Sequence, residues 1–151
     1  DTLHLYDHGA EVIADFTDAG VVCSGPESAA QTAHKVLSEI ASRGVDVIVA
    51  ETGDGVMGEY GVQAILADEA LRQQCCCFVF CANDPVGVAG GVDYLRESYG
   101  IDVDMVAGPA TDNAVGQRFV ERLGIPARNA RVDPRALGDL ALQLVRKRLA
   151  G

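Results

Sequence analysis

Four carboxylates and a pair of glycines are the residues best suited to chemistry in this chain. Asp15 and Asp18 share one short polar stretch, and Glu51, Gly53, Asp54 and Gly55 share another. Mg²⁺ takes oxygen donors, often one or two carboxylates together with substrate phosphate and water. Asp15, Asp18 and Glu51 are therefore the expected metal ligands, and Glu51 and Asp54 the expected catalytic pair. Glycine at 53 and 55 removes the Cβ that would keep backbone N–H groups away from a phosphate. Taken one at a time, each acid is as readily a solvated loop residue, and each glycine as readily a turn.

Three further polar loops follow apolar runs. They supply Ser24 and Gly25, then Asn83, then Gly108, Thr111 and Asn113 as candidate cofactor contacts. Such residues most often cap helices. Four of these loops on the carboxyl edge of one sheet also describe the crevice where ligands of open α/β sheets collect. The phosphate fingerprint Gly-x-x-x-x-Gly-Lys-Ser/Thr is absent. The glycines at 87, 90 and 91 fall in or beside a helical pattern. His34 sits alone in mid-helix and makes no nucleophile arrangement.

The elements that must hold these residues alternate in type. Residues 45–50 form a β-branched run, which predicts a buried strand. Residues 75–81 and 103–107 predict two more strands. Residues 2–6 and 10–16 are weaker extended candidates. Helical spacing runs from Glu27 to about Ser42, from Val62 to Gln74, and from Pro85 to a stop at Gly100. A further helix should place Val115, Phe119, Val120 and Leu123 on one face. Residues 125–130 read as a connection or a short edge strand. A last helix from Pro134 should turn Leu137, Leu140, Ala141, Leu144, Val145 and Leu149 inward. The alternation predicts a three-layer α/β fold with a mainly parallel sheet and helices on both faces, Rossmann-like or P-loop-like.

The 151 residues fit a single domain. Charged residues make up 23% and the formal net charge is −10, which disfavours nucleic acid and anionic membrane surfaces as partners. A small molecule is the expected ligand, and a homo-oligomer is left open. Cys75, Cys76, Cys77 and Cys81 lie in one apolar run and Cys23 stands apart. Reduced core thiols in a cytoplasmic setting are expected, since paired Cys-x-x-Cys spacing and a nearby His cluster are both missing. No apolar stretch reaches membrane-spanning length. The chain begins at Asp1 without Met, so a fragment of a longer chain is expected.

Residues 14–20, with Asp15 and Asp18, and residues 46–55, with a strand ending in Glu51, resemble P-loop ATPases of the dethiobiotin synthetase and cobyrinic acid amidase type. The resemblance covers roughly residues 10–85. It implies that Asp15 or Asp18 and then Glu51 hold Mg²⁺–ATP, and that Asn83 reads the nucleotide base. Two departures stand out: Thr52 occupies a position that is usually Gly, and the lysine-bearing phosphate loop is missing from residues 1–151. The expected function is a nucleotide- or phosphometabolite-binding domain, part of a Mg²⁺-dependent ATPase or ATP-dependent ligase. A Rossmann-like small-molecule or dehydrogenase-type domain and a non-catalytic assembly or regulatory module are the alternatives.

Overall fold

The computed structural model describes residues 2–150. The chain forms two compact units, Asp1–Arg72 and Gln73–Gly151.

The first unit is built on α2 (Ala29–Ser42), which follows a short α1 (Thr2–Asp7). The weak alternation in residues 2–6 predicts a strand, but a strand needs a partner, whereas a helix bonds to itself. Just past the helix, the His8 N–H bonds the Leu5 carbonyl oxygen at 3.2 Å and its ring Nδ1 meets the His4 carbonyl oxygen at 2.9 Å. Helix α2 ends where Gly44 takes a left-handed φ of 75°. One helix is expected over 62–74, yet two form: α3 (Val62–Ala67) and α4 (Glu69–Gln74). Asp68 causes the break. Its backbone turns extended, with ψ 110°, and its carboxylate accepts the Leu71 N–H at 3.0 Å, which makes it the cap of α4. Asp68 also meets His34 Nε2 of α2 at 3.0 Å.

Residues 45–50 correct the sequence reading. They form neither strand nor helix, and Val47 and Val49 are 49% and 78% exposed. Propensity alone cannot make a strand, because the ladder needs a second chain segment in register. Residues 10–16 likewise join no ladder.

The second unit holds most of the core. Strand β1 (Val79–Cys81), helix α5 (Pro85–Tyr99) and strand β2 (Met105–Ala107) make a parallel βαβ unit, with Val79 opposite Met105 and Cys81 opposite Ala107. Ala127 adds a parallel bridge on the far side of Val106. The molecule is thus a mixed helix and strand protein with a small parallel sheet. Every residue of β2 is buried, whereas Val79 on β1 is 43% exposed, so the covering expected on both faces of 75–81 fails at β1. Residues 75–77 stay outside the ladder. The pairing stops there because the Asp104 carboxylate, just before β2, takes the Phe78 N–H at 2.8 Å.

Helix α5 rests Val88, Val92 and Leu95 in the core, and its Gly91 lies under the Phe80 ring, where a Cβ would collide. Helix α6 (Ala114–Arg122) buries Gly116 and Val120. The stripe expected there is only partly inward, since Val115 is 66% exposed and Leu123 44%. Glycine at 116 lets this flank of the helix approach Ala110, which turns Val115 outward. Helix α7 (Pro134–Leu149) has no fully buried residue: Leu137, Leu140, Ala141, Leu144 and Val145 are half-buried and Leu149 is exposed. Arg148 at its end pairs with Asp104 at 3.2 Å. Among the described residues no helix is long and apolar enough to cross a membrane.

Candidate functional site

Beyond the carboxyl ends of β1 and β2 lies an open cleft of about 530 Å³. Asn83, Asp84, Pro85, Pro109, Ala110, Asn113, Val115 and Gly116 line it. Two helices begin here. Asp84 caps α5 by accepting the Gly87 N–H at 2.8 Å. Asn113 caps α6 by accepting the N–H groups of Val115 and Gly116, each at 3.0 Å. Pro85 at the first helical position gives up an N–H that would have had no partner.

The floor is fixed by close backbone approach. Gly108, at φ 85°, leaves its missing Cβ position 2.9 Å from the Ala82 carbonyl oxygen, and the Ala110 N–H bonds that same oxygen at 2.9 Å. Only glycine combines this φ with this contact. Behind the floor lies a buried polar network. Asn129 donates to Thr111 Oγ1 at 3.0 Å and to Asp112 Oδ1 at 2.8 Å, while its own oxygen accepts the Arg131 and Val132 N–H groups at 2.9 Å. The Thr111 hydroxyl in turn faces the carbonyl oxygens of Gly108 at 2.8 Å and Arg128 at 3.0 Å. Thr111 and Asn129 are 0% and 4% exposed, so this satisfaction decides whether the loop holds its shape.

Four residues expected from the sequence therefore meet. Asn83 and Asn113 line the cleft, while Gly108 and Thr111 shape its floor. Sequence reasoning missed Asn129. Its signal was faint: an Asn opening the polar run Asn129-Ala130-Arg131-Val132-Asp133-Pro134, which is turn chemistry. It also missed Val115 as a wall of the cleft.

The other expected residues lie in the first unit and serve its loops. The Ser24 hydroxyl donates to the Tyr60 carbonyl oxygen at 3.0 Å. The Gly25 carbonyl stands 2.7 Å from where a Gly61 Cβ would sit. Together they clasp 24–25 to 60–61 at the start of α2. Asp54 packs against Gly58 and accepts the Tyr60 N–H at 3.4 Å. Gly53 and Gly55 have open space around them.

Asp15 accepts both the Thr17 hydroxyl and the Thr17 N–H, at 2.6 and 2.8 Å, and these bonds hold its carboxyl below the ordinary value. Asp18 accepts the Asp15 N–H at 2.8 Å. Glu51 is exposed and makes no hydrogen bond or ion pair among the described residues. Among those residues no three His, Cys, Asp or Glu side chains gather to hold a metal ion. The structure thus spends Asp15 and Asp18 on a turn and does not bring them into one donor group with Glu51.

No protein-family model, curated protein or solved structure matches this chain.

Proposed function

We propose that this chain is a nucleotide-binding α/β domain whose second unit takes the base and ribose end of its ligand in the cleft between Pro85 and Pro109. The observation that carries this reading is the convergence of Asn83, Asp84 and Asn113 on one cleft at the carboxyl ends of two parallel strands. Ligands of open α/β sheets collect at that edge. The chemistry of the walls favours a flat heterocycle over a bare phosphate. Both helix N-termini are already capped by side chains, and one cap is the anionic Asp84. What remains for a ligand is the Asn83 amide, the NH₂ of Asn113, the second carboxylate oxygen of Asp84 and the apolar surfaces of Pro85, Pro109 and Val115. Amides match the mixed donors and acceptors of a base edge, and a carboxylate accepts from hydroxyl or amino groups.

The finer fold goes with this proposal. A three-layer arrangement with a mainly parallel sheet is supported by the β1–α5–β2 crossover and the Ala127 bridge. A cytoplasmic setting is supported by the free thiols of Cys75, Cys76 and Cys77. The further step to a Mg²⁺-dependent ATPase or ATP-dependent ligase rests on the first unit by itself, where Glu51 would be the metal-binding acid. Its exposed carboxylate, with no hydrogen bond of its own, supports that step.

Thermal-shift titration with adenosine, ATP, NAD and inorganic phosphate, each with and without Mg²⁺, tests the reading. A ligand at roughly 100 times its Kd stabilises by about 2.7 kcal/mol, a rise of several degrees in Tm. Adenosine and ATP should raise Tm and inorganic phosphate should not. Asn83→Ala should cut the adenosine shift. An absence of response to every nucleoside and nucleotide would overturn the reading. A Mg²⁺-dependent gain with ATP that disappears in Glu51→Ala would support the ATPase step.

A further inference from the structure

Residues 45–53, which include Glu51, present a backbone feature that base binding in the second-unit cleft does not use. From Val47 to Gly53 the backbone runs without turn or bend, and from Val45 to Gly53 no N–H or C=O group finds a partner among the described residues. Water can satisfy such groups, but a β-branched run with Val47 and Val49 exposed is unusual for a segment left bare. Val47 and Val49, at 49% and 78% exposure, lie two residues apart and share a face if the run is a strand. The segment has the composition and the unspent hydrogen bonds of a strand, and lacks only a neighbour.

We propose that residues 45–51 dock an extended peptide segment by β-augmentation, and that the segment is apolar with basic ends. Main-chain bonds would supply affinity, and alternate side chains would meet Val47 and Val49. Charge selects the occupant. Between Arg43 and Arg72 the chain carries Asp46, Glu51, Asp54, Glu59, Asp68 and Glu69 and no Lys or Arg. A second copy of the segment would bring this acidic stretch against itself, and like charges across a strand pair are destabilising. Lys or Arg at the ends of the incoming segment would instead meet Asp46 and Glu51. This inference is independent of the cleft in the second unit.

A fluorescein-labelled peptide alternating Val and Thr, with Lys pairs at both ends, tests it by fluorescence anisotropy on the full chain. The same peptide with Glu for Lys is the counter-probe. The Lys-ended probe should bind, and binding should weaken at least several-fold as salt is raised. The Glu-ended probe should bind at least tenfold more weakly.

Val47→Pro removes an N–H that bonds to nothing in the free chain. It should therefore leave the helical circular dichroism unchanged while abolishing capture. Asp46→Lys combined with Glu51→Lys should reverse the preference between the probes, which separates a charge-selected strand site from general stickiness. Equal binding of both probes, capture that survives Val47→Pro, or no binding of either probe would each overturn the proposal. So would concentration-dependent self-association through this segment.

Discussion

The side-chain amide of Asn129 donates to the hydroxyl oxygen of Thr111 across 3.0 Å, with both residues buried and 18 positions apart in the chain. That bond joins the segment after the Ala127 bridge to the turn that floors the cleft. Removing the amide would strand the Arg131 and Val132 N–H groups and leave Thr111 and Asp112 short of a donor. Asn129→Ala should cost about 1–3 kcal/mol, read as a lower urea midpoint at unchanged m-value. Thr111→Val should cost a similar amount. The double variant should cost less than the sum, with a coupling of roughly 0.5–3 kcal/mol.

Two glycine substitutions should move stability in opposite directions. A Cβ at Gly116 would overlap the Ala110 carbonyl oxygen, which is backbone and cannot rotate away. Gly116→Ala should destabilise by about 1–3 kcal/mol and weaken nucleoside binding, because it pushes α6 off the cleft floor. A Cβ at Gly90, inside α5, meets nothing within 4 Å. Gly90→Ala should stabilise by roughly 0.5–1 kcal/mol, since helix interiors favour Ala over Gly by that amount. Urea titrations of the two variants side by side check both signs.

The Asp68 cap makes part of the stability of the first unit depend on pH. The Leu71 N–H, and after it His34, hold the Asp68 carboxyl below its ordinary value of 3.8. A carboxyl depressed on folding stabilises above its unfolded value, and that contribution is lost as pH falls through the folded value. Asp68→Asn keeps an acceptor for Leu71 but loses the charge. Its urea midpoint should fall below that of the parent at pH 7. The gap should close as pH drops below the ordinary aspartate value. A gap that widens on acidification would contradict the assignment.

Burial raises the thiols of Cys75 and Cys77 above the ordinary cysteine value of 9.0, with the Asp104 carboxylate adding to the effect at both. Only the thiolate alkylates readily. Iodoacetamide at pH 8 should therefore modify the exposed Cys23 several times faster than Cys75 or Cys77, as read by mass spectrometry over time. Asp104→Asn should speed modification of Cys77.

Local chemistry made much of this protein legible in its sequence. Pro85, Asn113 and Pro134 mark the starts of α5, α6 and α7, and Gly44, Gly100 and Gly124 mark helix ends, because caps and turns are satisfied by residues a few positions away. The polar residues at 83, 108, 111 and 113 were legible for the same reason, as loops following apolar runs.

What tertiary structure alone decided was pairing. Residues 45–50 have the strongest strand composition in the chain and stay unpaired, while Val79–Cys81 and Met105–Ala107 form the ladder. A ladder bond depends on a distant segment arriving in register, and no local propensity encodes that arrival. The same physics hid Asn129, whose partners at 108, 111 and 112 lie far back in the chain. Asp15 and Asp18, by contrast, take donors within their own turn, from Thr17 and from the Asp15 N–H.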